Sequence, residues 1–277
     1  MQVIFTDGLG NQMFQYAFYL SMLAHGYKPK LNIGIITRNI VHNGFELCDD
    51  FNINRNELQI TDGCWFGGGI TIFVLRYLKF LCYTEKIDLF DVKVFQTKKP
   101  IVSGYWQNVE YFKNISEEVR RAFTFRNIDE ENIRISKEMS QIDSVSLHIR
   151  RGDYLKYPQY QICTPSYYQR AIAYIKEKLN NPVFYVFSDD LEWSHDFMDN
   201  QGVEYKIINL NRGKDSYKDM YLMSCCHHNI IANSSFSWWG AWLNNYDDKI
   251  VICPSTWNLK YEKFHPQLDE WIKINTK

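Results

Sequence analysis

From about residue 140 onward the chain repeats one pattern, a short apolar run followed by a stretch of helical spacing. Strand-like runs fall at 144–149, 183–187, 203–208, 229–232 and 249–253, separated by helical stretches at 165–180, 191–199, 215–226 and 236–245. Strands that alternate with helices predict parallel pairing, because parallel neighbours need a crossover and a helix is the usual one. Val183-Phe184-Tyr185-Val186-Phe187 is apolar throughout, as a strand covered on both faces must be. The second half therefore reads as a parallel, Rossmann-like α/β unit.

The first half is α/β in a less regular way. Val3-Ile4-Phe5 starts a strand that turns through Gly8-Leu9-Gly10 into helical spacing at Met13, Phe14, Ala17, Phe18, Leu20 and Leu23. Gly67-Gly68-Gly69 reads as a loop or hinge, and Ile70 to Tyr83 as an amphipathic helix. That segment carries Arg76 and Lys79 and is too short to span a bilayer. Pro100 to Gln107 reads as a short strand ending in Tyr105-Trp106. A helix with Glu117 and Glu118 in its first turn begins at Ser116. A boundary near 135–142 gives units of 1–138 and 139–277, with the last helix packing back on the first unit.

A net charge of −1 argues against a nucleic-acid partner, so any anion site must be local. The seven cysteines show no CxxC spacing, which fits buried thiols in a reducing compartment. Met1 to Asp7 has neither a basic nor a long apolar segment to act as a signal. The reading is a soluble, cytoplasmic protein without a transmembrane segment; peripheral membrane association stays open.

Three stretches carry chemistry. In Ser144 to Ile149 apolar residues alternate with polar ones, so His148 and Arg150 leave one face of a strand. Arg150-Arg151-Gly152-Asp153 then lies at the strand's carboxyl end, where open parallel sheets present their ligand sites. Two guanidiniums there call for an anion, either a diphosphate or, more simply, Asp153. Gly8-Leu9-Gly10-Asn11-Gln12-Met13 misses the third glycine of a dinucleotide fingerprint. Leu31-Asn32-Ile33, about 20 residues on, offers no acid for a ribose. An NAD-dependent oxidoreductase is thus a weak alternative. Asn233-Ser234-Ser235-Phe236 follows a strand and opens a helix, as an anion cradle or as an ordinary serine cap. Trp238 and Trp242 share a helical face and suit packing. Ser188-Asp189-Asp190 ends a strand without companion metal ligands. Asp190 suits a helix cap, with Ser188 or Asp189 near a nucleoside. Asp219 alone would pass as a solvated helix residue.

Together, Gly8 to Ala17, His148 to Tyr154 and Asn233 to Trp242 make the chain similar to the bacterial α-1,2-fucosyltransferases, glycosyltransferase family 11. The resemblance implies a GT-B fold, two Rossmann-like halves facing across a cleft, with the first half mainly on the acceptor side. It implies transfer of L-fucose from GDP-β-L-fucose to the 2-hydroxyl of a terminal galactose in an oligosaccharide, inverting and without a metal or other cofactor. Under it, Arg150 binds the β-phosphate, His148 lines the same pocket, and Ser234, Ser235 and the Phe236 backbone hold the diphosphate. In the wider fucosyltransferase superfamily an aspartate 16 residues ahead of the serine cradle reads guanine, and here that residue is Asp219. Gly10, Asn11 and Gln12 belong to a loop that approaches the fucose or phosphate. Members often carry glycine where this chain has Asp7, which either contacts the acceptor or ends the strand. Tyr105 and Gln107 are acceptor candidates. Asp153 either removes the acceptor proton or orients an arginine. A related transferase of different linkage would differ only on the acceptor side.

Overall fold

The computed structural model describes residues 1–38, 43–62, 80–87 and 89–276, and the chain divides into two compact units, Met1–Asn127 and Ile128–Lys277. Gly67-Gly68-Gly69 and most of the Ile70–Tyr83 segment lie outside the described residues. Cys82 and Tyr83, at the end of that segment, belong to a strand.

In the first unit five parallel strands, β1 (Gln2–Ile4), β2 (Lys30–Asn32), β3 (Ile60–Thr61), β4 (Cys82–Thr84) and β5 (Ile101–Ser103), are ordered β3-β2-β1-β5-β4. The Leu9–Ala24 helix follows β1, and Met13, Phe14, Ala17 and Phe18 pack inward as their spacing predicts. Leu23, on the last turn, is exposed instead. Phe18 stacks on Trp106 with ring centroids 3.9 Å apart, and Tyr111 meets both rings edge-on. Aromatic packing of this kind, with each ring burying a large apolar area, gives a unit of short strands its core.

The second unit holds β6 (Ser144–Ile149), β7 (Val183–Ser188), β8 (Glu204–Ile208), β9 (His228–Ile230), β10 (Val251–Pro254) and β11 (Ile272–Ile274). Their order, β11-β10-β9-β6-β7-β8, is the 3-2-1-4-5-6 order of dinucleotide-binding sheets read from the other edge. All six positions of β6 are buried. Val145, Leu147 and Ile149 pack on Tyr167, Tyr168 and Ala171 of the Pro165–Lys178 helix. On the opposite face Ser146 accepts a hydrogen bond from Asn229 at 2.7 Å. Alternation here separates apolar from polar contacts inside the protein, rather than inside from outside.

Two expectations change. The division falls at Asn127 and Ile128, ahead of 138/139, because a helix at Glu130–Met139 packs on the second unit. Asp129 caps it, accepting from the Asn132 N–H at 2.9 Å, and Ile135 and Met139 join a core with Leu222 and Met223. The chain does not end in a helix returning to the first unit. Ile272-Lys273-Ile274 alternates and pairs in parallel with β10, extending the second sheet.

Candidate functional site

In the second sheet the strand order reverses once, and the carboxyl ends of the two flanking strands open a crevice there. The reversal lies between β6 and β9; in the first unit the chain crosses from β3 to the far edge at β4 and steps back to β5, which sets the carboxyl ends of β1 and β5 side by side around a second crevice.

The β6–β9 crevice is built on ionic groups. Ile149 is in register with Ser188, so the residues that follow, Arg150 and Asp189, leave adjacent strand ends side by side. Arg150 Nη1 lies 2.9 Å from Asp189 Oδ2, and its Nη2 lies 2.7 Å from Asp153 Oδ1. The other Asp189 oxygen accepts from the Arg151 N–H at 2.8 Å. A Cβ at Gly152 would stand 2.7 Å from Asp189 Oδ2, so the close approach of that carboxylate requires glycine. Arg151 turns aside to Asp190 and lies over the Trp193 ring. Asp190 caps the Leu191–Asp199 helix as its sequence position predicts.

Tyr154 joins Arg150 to the Ser235–Leu243 helix. The guanidinium lies 5.4 Å from the Tyr154 ring centroid, and the phenol donates at 3.1 Å to the carbonyl of Asn233, the residue before the N-cap Ser234. Ser234 is the N-cap residue but makes no side-chain cap bond, so no side chain caps the first-turn N–H groups. Ser235 and Phe236 are partly exposed at this end. Trp238 and Trp242 stack and are buried, with Trp238 Nε1 donating to the Pro266 carbonyl, a packing role. His148 is buried with its ring 6.1 Å from Phe236, and its Nδ1 has no hydrogen-bond partner. Burial, reinforced by Arg150, pushes its pKa down to about 3, so the ring is neutral. A bound ligand or an ordered water would supply the partner that this atom lacks.

Asp219 stands in the first turn of the Tyr217–Cys225 helix. Its Oδ1 accepts from Asn211 at 2.8 Å, and Asn211 exchanges amide bonds with Asn132. Lys218 next to it is held by Asp129 and Asp215. Burial raises Asp219 to about 7.

The β1–β5 crevice is made of amides and backbone. Asp7 has φ +64°, a left-handed conformation that suits glycine and that aspartate is among the few other residues to tolerate. Its carboxylate accepts from the Thr6 hydroxyl. Gly8 caps the Leu9–Ala24 helix without a side-chain bond, and Gly10 is buried in the first turn. Gln12 is fully buried, donating to the carbonyls of Asp7 and Gly44 and accepting from the Glu46 N–H. Its amide is taken up in bracing the loop. Asn11 stays partly exposed and accepts from Gln107 Nε2 at 2.5 Å, so two of the residues picked from sequence meet. Gln15, buried, links the Thr6 N–H to the Gly104 carbonyl and so fastens the ends of β1 and β5.

Glu85, just past β4, escapes any reading of the sequence. Its Oε2 accepts the N–H groups of Tyr105 at 2.6 Å and Trp106 at 2.8 Å. Trp106 is held there at φ +58°, a conformation costly for a bulky residue, roughly 1–3 kcal/mol. Burial raises the Glu85 pKa to about 7 against the pull of the two N–H donors. Its partners are backbone groups, so no residue pattern announces it.

Among the described residues no cluster of three or more His, Cys, Asp or Glu side chains could hold a metal ion, and no helix is long and apolar enough to cross a membrane. The described cysteines are all free.

A family model, glycosyl transferase family 11, matches residues 85–275. An Escherichia coli alpha-1,2-colitosyltransferase is 37% identical over 97% of both chains. The human galactoside alpha-(1,2)-fucosyltransferase 1 is 27% identical over 63% of this chain and 52% of its own length. Among solved structures, the fucosyltransferase NodZ from Bradyrhizobium matches with a TM-score of 0.50 and 13% identity, covering 86% of this chain and 90% of that one. The last is a likeness of fold, α/β and GT-B-like, with a parallel sheet in each unit.

Proposed function

This chain belongs to glycosyl transferase family 11 and is a glycosyltransferase, and we propose that it moves L-fucose from GDP-β-L-fucose to the 2-hydroxyl of a terminal galactose, with inversion and without a metal ion. The observation that carries the reading is the meeting, through Tyr154, of Arg150 with the uncapped N-terminus of the Ser235–Leu243 helix.

Breaking the anomeric C–O bond leaves negative charge on the β-phosphate of GDP, so the enzyme must stabilise that charge as it develops. Arg150, already fixed by two carboxylates, offers its remaining N–H donors to the phosphate. The hydroxyls of Ser234 and Ser235 and the Phe236 N–H add neutral donors, and the helix terminus adds a partial positive charge. Neutral His148 accepts from a ligand hydroxyl through its unpartnered Nδ1. Asp219 reads guanine by accepting from the ring N–H and the exocyclic amine, with Asn211 holding it in place. Asp153 serves as an orienting group on Arg150 in preference to a base. In the first unit Asn11 and Gln107 present an amide pair to sugar hydroxyls, and Tyr105 offers an aromatic face.

A second reading of the donor is favoured by the relative named a colitosyltransferase: the sugar moved is colitose, which is fucose without its 3-hydroxyl. The decisive experiment measures GDP release in EDTA from GDP-fucose and from GDP-colitose, with and without lactose, followed by linkage analysis. Lactose-dependent release from GDP-fucose, with product on the galactose 2-hydroxyl, supports the first reading. Preference for GDP-colitose supports the second. No binding of GDP refutes both.

A further inference from the structure

We propose that Glu85 is the general base of the transfer, taking the proton from the acceptor hydroxyl. The assignment rests on the transfer reading above and assigns a role which that reading leaves open. Asp153 is engaged with Arg150, and Asp7 with Thr6.

Three features of the geometry support it. Glu85 lies at the carboxyl end of β4, beside the end of β5, on the edge where parallel sheets carry their ligand sites. Its carboxylate is divided in function: Oε2 is anchored by the Tyr105 and Trp106 N–H groups, while Oε1 has no partner among the described residues. Anchoring fixes the direction of the open oxygen, which a base needs more than it needs strength. The surrounding backbone is shaped around this carboxylate. A Cβ on Gly104 would lie 2.4 Å from Glu85 Cβ and 2.5 Å from Oε2, and the left-handed Trp106 turns both N–H groups towards one oxygen. Tyr105, an acceptor candidate from sequence, takes part in the same turn.

The protonation behaviour agrees. Burial brings Glu85 to about 7, where a carboxylate is a competent base near neutral pH. Among the described residues, Tyr83 and Tyr111 are the titratable groups that interact with it, and both phenols stay protonated because burial raises them further. In the step itself the acceptor oxygen bonds to the anomeric carbon. The bond from that carbon to the β-phosphate oxygen breaks, and its electron pair leaves on GDP. The hydroxyl proton passes to Glu85 Oε1 and then to water.

Glu85→Gln tests the assignment, because its amide oxygen still accepts from both N–H donors and only the basicity is lost. The expected result is a fall in kcat of about a hundredfold or more, with melting temperature and GDP affinity as in the wild type. A folded E85Q protein with near wild-type kcat overturns the assignment and leaves Glu85 an anchor of the turn. The wild type gives a second test that does not depend on the variant folding. At saturating donor, where the ionisation of Asp219 no longer enters, kcat should rise with pH through about 7. A flat profile between about pH 5 and 9 refutes the base. Failure of the wild type to transfer from either donor sinks the transfer reading, whereas transfer unaffected in E85Q sinks only the role of Glu85.

Discussion

At the β6–β9 crevice the working side chains are charged, and each charge is already matched: Arg150 by Asp153 and Asp189, Arg151 by Asp190. At the β1–β5 crevice they are the Asn11–Gln107 amide pair, a run of backbone groups, and one carboxylate held by N–H donors alone. Both crevices use the same construction, the carboxyl ends of two neighbouring, non-consecutive parallel strands beside a helix whose first turn lacks a side-chain cap. The construction supplies a place and a partial positive charge, and the side chains decide what is bound. A guanidinium with hydroxyls suits a diphosphate, whereas amides with an aromatic ring suit a neutral polyol. Ion pairs as exposed as those of Arg150 contribute only ~0–1 kcal/mol to folding, so the cluster is better understood as orientation than as stability.

The sharpest way to break this contrast is Arg150→Ala. Removing the fixed cation should lower the rate of transfer by about 10²–10³-fold while circular dichroism stays unchanged. A folded variant with near-normal turnover would remove the anion assignment.

A smaller effect is expected at Asp219. Its folded pKa is raised, so in the empty protein it binds a proton more readily than a free aspartate. Guanine donors favour the ionised form. GDP affinity should therefore rise with pH through about 7, with proton release on binding below that value. Calorimetry in buffers of different ionisation enthalpy measures this, and Asp219→Asn should weaken GDP about tenfold and flatten the pH dependence. Pronounced pH dependence surviving in D219N would place the guanine elsewhere.

Gly104→Ala tests the other crevice. A Cβ there meets Glu85, so stability should fall by about 1–3 kcal/mol and the acceptor KM should rise, with GDP affinity unchanged. Gln107→Ala should raise the acceptor KM about fivefold and leave GDP binding alone, the loss of roughly one hydrogen bond. An equal loss of donor affinity in either variant would erase the division of labour between the crevices. The smallest effect is reserved for EDTA, which should leave the rate within about twofold, since the cation needed at the phosphate is Arg150. A strict magnesium or manganese requirement would bring Asp189 and Asp190 back as ligands.

Much of this is legible in the sequence where one physical rule dominates. The central strands β6 and β7 show because their residues are buried on both faces, and Asp190 shows because a cap needs only its own helix. The Arg150–Asp189 pair does not show, since it depends on the register of β6 against β7, which no single strand encodes. Glu85 and the brace at Gln12 are hidden for another reason: they bond backbone groups, and backbone is the same at every position. The β4 strand is short and stands at the end of a segment with helical spacing, so periodicity misassigns Cys82 and Tyr83.

The pairing of Arg150 has a consequence for the end of the catalytic cycle. An arginine with no partner would hold spent nucleotide as tightly as fresh donor. Here Asp153 and Asp189 stand within 2.9 Å of the guanidinium and already offset its charge, leaving only the remaining donors for an incoming phosphate. On the proposed reading, departure of GDP would expose no bare cation, because the two carboxylates stay on it. On that reading the cluster that readies the site for a donor would also ease the release of product.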